Sequence, residues 1–297
     1  MLTRPYLQAT EALVCDFRYS SAVRADDTGA TGLLKALSLD YLSTLDHEAS
    51  IEWYCNHSRN TQLALLHGYI DIALTYERDQ EALAVSEGWS STVGCAFHDH
   101  FCIAGPVTDP ADVSAAHSLQ DALRRMAKSK AAFHSRADFS ATMWKERSLW
   151  SSCNLSPWDD QDSANWYETS LRSPLDALVA ADSAGAYLLT DRSTLLHQVS
   201  LGTVKQTTVF FEPTSRDDVL MNSCYVLTSP QSSTVQADAV SKFIEYLFSK
   251  RGQIVIAEFG KEEPGDCPLF APVAEDFARI SLKGGYLQGR KWMMVSK

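Results

Sequence analysis

The sequence predicts an α/β protein built from layered, largely parallel sheets. Three observations predict it. Strand-like and helix-like segments alternate along most of the chain, and no internal repeat or low-complexity segment interrupts them. Composition is that of an ordinary globular protein, with 45% apolar and 21% charged residues. At 297 residues the chain is long enough for two medium domains or one large one, with an ample core.

Taken in order, Ala12 to Tyr19 is strand-like, and the polar loop Ser20 to Thr31 contains Gly29. Gly32 to Leu45 places Leu33, Leu34, Leu37, Tyr41 and Leu45 at helical spacing. Ile51 to Cys55 reads as a strand, followed by a loop from Asn56 to Asn60. A short helix, Thr61 to His67, then stops at Gly68. Tyr69 to Thr75 is apolar and rich in strand formers, a buried strand, and Gln80 to Gly88 is a helix. Phe97 to Gly105 is a strand that breaks at Gly105-Pro106. The middle third repeats the alternation: helix Leu119–Lys128, strand Ala131–Phe133, helix Met143–Trp150, helix Pro174–Ser183 and strand Ala186–Thr190. Val209 to Leu227 returns extended, and Val235 to Lys250 is an amphipathic helix. The tail from Arg279, with its glycines and a Trp-Met-Met cluster, has no assignment.

Charge and cysteines exclude several roles. A net charge of −11 argues against nucleic acid, whose phosphates call for a basic patch. No apolar run approaches the ~18 residues of a membrane helix, and Met1 to Val14 lacks the continuous apolar stretch of a secretory signal. The seven cysteines are odd in number, scattered and without a C-x-x-C pair, which suits reduced thiols in the cytoplasm. His98-x-His100 points two imidazoles to one face of a strand, but with Cys95 and Cys102 it matches no metal-ligand spacing, so no metal is expected. No nucleotide loop or G-x-S-x-G elbow appears, so no cofactor is expected either.

The richest stretch is Ser135-Arg136-Ala137-Asp138-Phe139-Ser140-Ala141-Thr142, just ahead of a helix. A helix start carries unpaired N–H groups and partial positive charge, so hydroxyls and an arginine there suit an anion. Ser, Asp and Thr in that place also serve simply as caps.

Several blocks in order resemble the tungstate-binding branch of the periplasmic-binding-protein superfamily, most closely its fungal relatives. Gly68-Tyr-Ile-Asp71-Ile-Ala-Leu-Thr-Tyr resembles the family's "G-D-A-D" strand. Asp99-His100-Phe101 with Gly105-Pro106 and Asp109-Pro110 resembles its crossover, and Ser135-Arg136-x-Asp138-x-Ser140-x-Thr142 resembles "S-R-G-D-D-S-G-T". Leu149-Trp150, Trp166-Tyr167, Ala186-Tyr187 and Thr190-Asp191-Arg192-x-Thr194 complete the series, which spans roughly residues 12 to 273. The resemblance implies a type II, two-lobe fold with two crossover strands, Asp99–Gly105 and Asn222–Leu227, and a ligand enclosed between the lobes. By that analogy lobe one is 1–104 plus 223–297, and lobe two is 105–222. Three loops would collect the ligand: Arg24–Thr31, Asn56–Thr61 and Ser135–Thr142, with Arg192 joining them.

Where the family's first loop is a run of hydroxyls, this chain has Asp26 and Asp27 beside Thr28 and Thr31. Carboxylates accept hydrogen bonds and repel an oxyanion, so these two disfavour tungstate unless they point away. Ser135, Arg136, Ser140, Thr142, Thr28, Thr31, Ser58 and Arg192 remain as candidate ligand-binding residues. Two function classes follow. In the first, a cytoplasmic enzyme encloses a small carboxylate-bearing substrate and cyclises, isomerises or eliminates it, with His57, Asp26, Asp27, Asp138 and His100 as acids and bases. In the second, the chain is a non-catalytic binding protein for an oxyanion such as tungstate or molybdate. The sequence favours the enzyme, from the apparent lack of a leader and the altered first loop. Extracellular placement applies if the natural chain carries a leader. The expected partner is a small molecule, neither nucleic acid nor membrane.

Overall fold

The computed structural model describes residues 12–18, 31–230, 234–261, 267–275, 281–283, 285–288 and 291–294. In chain order the elements are β1 (Ala12–Arg18), α1 (Leu33–Leu42), β2 (Ser50–Asn56), α2 (Ser58–Leu66), β3 (Ile72–Thr75), α3 (Arg78–Ser86) and β4 (Ser91–Pro106). Then come α4 (Leu119–Ser129), β5 (Phe133–Arg136), α5 (Ala141–Ser152), β6 (Tyr167–Ser170), α6 (Pro174–Ala184), β7 (Tyr187–Asp191) and α7 (Arg192–Ser200). The chain closes with β8 (Thr207–Phe211), β9 (Met221–Thr228), α8 (Thr234–Phe248), α9 (Lys250–Glu258), β10 (Ala271–Pro272) and a hairpin of β11 (Gly285–Gln288) with β12 (Lys291–Met294).

The described residues form two compact units. One takes the residues up to His98, Ser223–Phe259 and Pro272–Ala274; the other takes Asp99–Asn222, Gly260–Ala271 and the residues from Glu275 onward. The chain passes from the first to the second inside β4 and returns inside β9. These are the two crossover strands of the expected fold class.

In the first unit the strands run in the order β2-β1-β3-β9, each pair antiparallel. All four residues of β3 are buried, as suits a strand paired on both edges and covered on both faces. Helix α1 buries Leu33, Leu34, Leu37 and Tyr41, spaced for one helical face, and α9 packs beside it. Gly32, at φ 84°, opens that helix in the left-handed region that favours glycine.

In the second unit the order is β4-β7-β5-β6, with β8 also on β4. The pairs of β5 with β6 and β7 are parallel, while β4 pairs antiparallel with β7 and β8. The sequence led us to expect mostly parallel sheets, and this is the chief departure. The long crossover strands run against their βαβ neighbours, which makes the pairing antiparallel around them. The core centres on Phe133, Trp150, Trp166 and Tyr167. The Phe133 ring meets Trp150 edge-on at 5.2 Å and stacks on Tyr167 at 5.7 Å. Gly105 lies so close to the Tyr187 ring that any Cβ there would collide with it. Helix α6 shows textual economy in its ends: Ser173 caps the Asp176 amide, Pro174 takes the first turn, and Gly185 closes it at φ 63°.

Candidate functional site

The anion-type loop joins β5 to α5 in the second unit. β5 covers Phe133–Arg136 rather than Ala131–Phe133, so Ser135 and Arg136 sit at the end of a strand and not in a loop. Two strands flank β5, and its register with β6 pairs Arg136 with Ser170. Ser140 is the N-cap of α5, its hydroxyl accepting from the Met143 amide at 3.2 Å, so the helix begins two residues earlier than expected. Asp138 Oδ1 accepts from the Ser140 amide at 3.1 Å. Between them Phe139 is held at φ 60° and is largely exposed, an unfavourable backbone conformation for a bulky residue.

Arg136 is 5% exposed. Its Nε donates to Asp138 Oδ2 at 2.8 Å, its Nη2 pairs with the same oxygen, and its Nη1 donates to Thr142 Oγ1 at 3.4 Å. The loop therefore brings Arg136, Asp138, Ser140 and Thr142 together around one guanidinium at a helix N-terminus. Asp138, expected as an acid or base, is the counter-charge that fixes that arginine. Ser135 faces inward: its hydroxyl lies 2.9 Å from that of Tyr167, which donates to Glu146 Oε1 at 2.6 Å. Burial raises the Glu146 carboxyl to about 7, although hydrogen bonds from Tyr167 and Ser135 pull it down.

Glu146 was not singled out from sequence, and Tyr167 was named only within the Trp166-Tyr167 block of the resemblance. The readable signal was a carboxylate on the stripe Met143, Glu146, Leu149 and Trp150, which the helix buries.

The other candidates lie elsewhere. His57 is the N-cap residue of α2 and makes no side-chain cap bond; its amide donates to Asn56 Oδ1 at 2.9 Å. The expected loop through Asn60 is thus mostly the first turn of α2. Ser58 is buried there, accepting from the Tyr76 amide at 3.3 Å. Thr31 is half-buried just ahead of α1. Both residues belong to the first unit. Asp26, Asp27 and Thr28 lie outside the described residues.

His100 is buried in the second unit with its Nε2 3.6 Å from Glu212, and burial lowers its pKa. It lines a pocket of about 650 Å³ with Phe211, Glu212 and Lys283, to which the Ser135–Thr142 loop contributes no residue. Burial would raise Glu212, but contacts from His100, Ser281 and the Leu282 and Lys283 amides outweigh it and hold the carboxyl at about 2. Arg192 is fully buried and tied by Nη1 to the carbonyls of Pro268 and Leu269, at 2.6 and 3.2 Å. Neither His100 nor Arg192 has a partner in the anion loop among these bonds. His98, near His100 in sequence, meets Ser223 instead at 2.7 Å. Among the described residues no group of three or more His, Cys, Asp and Glu is placed to hold a metal.

Comparison with known proteins places the chain. The model of the PBP superfamily domain, PBP_like_2, matches residues 22–251. The chain belongs to this family. Within the family it is 29% identical over 212 residues to the tungstate-binding protein TupA of Peptoclostridium acidaminophilum, covering 70% of each chain. The crystal structure of a periplasmic protein aligns with TM-score 0.72 at 28% identity, covering 86% of this chain and 94% of that one. The tungstate-binding protein TupA of Desulfovibrio alaskensis aligns with TM-score 0.67 at 26% identity, covering 84% and 97%. These likenesses show the two-lobe α/β class of type II and a relationship to tungstate-binding proteins.

They also correct three expectations. The relatives are bacterial and archaeal, so the leaning toward fungal members is withdrawn. The family relatives are binding proteins by name, which overturns the expected cyclase, isomerase or lyase. The non-catalytic oxyanion reading, held second, is the one that agrees with them. A relative described as periplasmic overturns the cytoplasmic placement. The expected small-molecule partner agrees with these relatives, and no described helix is long and apolar enough to cross a membrane.

Proposed function

We propose that this chain is a non-catalytic binding protein for a small oxyanion of the tungstate or molybdate type, gripped at the start of α5. The observation that carries the reading is the buried Arg136, oriented by Asp138 beside the first turn of that helix. A guanidinium offers donors in a planar fork, and the helix start adds amide donors and partial positive charge to them. Ser140 and Thr142 supply hydroxyls at the same turn, and Ser135 adjoins it. A tetrahedral or near-tetrahedral dianion is the ligand class that uses such donors from several directions. The starts of α1 and α2, with Thr31 and Ser58, offer the same kind of chemistry in the first unit. Arg192 has no part in the proposal, because its bonds to Pro268 and Leu269 hold it in the interior.

Thermal unfolding tests this. Tungstate or molybdate should raise Tm in a concentration-dependent way, since a ligand that binds only the folded state stabilises it by mass action. The Arg136→Ala chain should show little or none of that shift. A shift of equal size in that variant would remove Arg136 from the site.

A further inference from the structure

Behind the anion loop sits a carboxyl that gripping an anion does not require. Glu146 lies one turn along α5 from Thr142, on the buried face of the helix, and is 3% exposed. Its Oε1 accepts from the Tyr167 hydroxyl at 2.6 Å, and that hydroxyl lies 2.9 Å from Ser135 Oγ. Ser135 immediately precedes Arg136. One carboxyl thus links α5, which carries Ser140 and Thr142, through β6 to β5, which carries Arg136. The groups acting most strongly on Glu146 are Tyr167 from β6, Ser135 from β5, and Trp150 and Arg147 from its own helix. None of these comes from α4 or β7, which also pack on α5.

We propose that capture of an oxyanion at the β5–α5 loop is coupled to uptake of a proton by Glu146. The inference rests on the binding reading above and gives that site a regulation.

Two effects act with the same sign. The first is hydrogen-bond direction. An ionised carboxylate only accepts, so it draws the Tyr167 proton toward itself, and Ser135 then donates into the cluster. A protonated Glu146 donates to Tyr167, Tyr167 donates to Ser135, and the Ser135 proton is released to another acceptor one residue from Arg136. The relay reverses with a single proton, and the reversed form adds a donor beside the arginine. The second effect is charge. A dianion on the loop makes a nearby buried carboxylate still less favourable, so it promotes protonation. Linkage makes the coupling reciprocal: protonation tightens anion binding as much as the anion tightens proton binding. Because burial already holds this carboxyl at about 7, the exchange falls at neutral pH.

Calorimetric titration with tungstate near neutral pH, in two buffers of different ionisation enthalpy, counts the protons taken up. The expected result is net uptake by the wild-type chain that disappears at lower pH. Affinity should weaken by up to about tenfold per pH unit above neutrality. Glu146→Gln, whose amide donates to Tyr167 as the protonated acid does, should show no uptake and keep the low-pH affinity throughout. Buffer-independent heats with a flat pH profile in the wild-type chain overturn the coupling and leave the oxyanion reading standing. Uptake that persists undiminished in Glu146→Gln also overturns it, by placing the proton elsewhere. Should that variant fail to fold, the wild-type measurement decides by itself. Absence of tungstate binding at every pH overturns the oxyanion reading, and the coupling with it.

Discussion

A guanidinium as deeply buried as that of Arg136 needs a counter-charge, and Asp138, two residues on, supplies it. The pair is held at 6% and 10% side-chain exposure, so removing one partner leaves a buried charge uncompensated. Asp138→Ala is expected to destabilise the ligand-free chain by about 3 kcal/mol. Saturating tungstate should recover part of that loss by restoring negative charge beside the arginine; urea unfolding with and without the anion measures both. Arg136→Lys keeps the charge but loses the planar fork, so the dissociation constant for tungstate should rise about tenfold or more. At this scale the sequence showed which residue types gather at the helix start, because a Ser-Arg-x-Asp-x-Ser-x-Thr run before an apolar stripe is legible from chemistry. It did not show who pairs with whom. Asp138 looked like a free acid or base, and only the fold of the loop turns it onto Arg136. Glu146 was equally hidden: a charged residue in a helix is normally solvated, and its burial depends on β5 and β6 packing over that face.

Elements were read well where one face is apolar and the ends are marked. Helix α4, with Ser118 as its cap and Ala122, Leu123 and Met126 inside, runs within a residue of expectation. So does α6, with Ser173, Pro174 and Gly185 at its ends. Boundaries failed where tertiary pairing sets them. β5 begins at Phe133 because its parallel partners β6 and β7 begin beside it at Tyr167 and Tyr187. β4 starts at Ser91, well before the apolar run that made Phe97 look like its beginning. α9 was missed since it follows α8 with only Ser249 between them. The tight entry to α5 has a measurable cost: Phe139 adopts a left-handed conformation while 65% of its surface is exposed. Phe139→Gly should therefore stabilise the chain by up to about 1 kcal/mol, seen as a higher urea midpoint. A lower midpoint would mean that its contact with Trp144, at 6.5 Å between ring centroids, outweighs the backbone strain.

Across the whole molecule, buried carboxyls pull the pH dependence of stability in opposite directions, Glu212 one way and Glu146, with Asp99 and Glu81, the other. Contacts hold Glu212 at about 2 despite burial, so its contribution is present above its unfolded value and is lost as pH falls toward 2. Burial raises Glu146 to about 7, so its contribution is full below its unfolded value and is lost as pH rises through neutrality. Stability should be greatest at mildly acid pH. Glu146→Gln should lessen the loss on the alkaline side only, by about 3 kcal/mol across the window, which urea midpoints measured against pH would reveal. Family and fold class were legible at this scale because many short blocks recur in order. The function was misjudged because the apparent lack of a leader, and Asp26 and Asp27 in one loop, were given more weight than Arg136 and the α5 start in another.

Isothermal titration of the wild-type chain with tungstate and molybdate tests the central claim most directly. Saturable one-to-one binding that Arg136→Ala abolishes is the predicted result. No heat from either anion would contradict an oxyanion site at the start of α5.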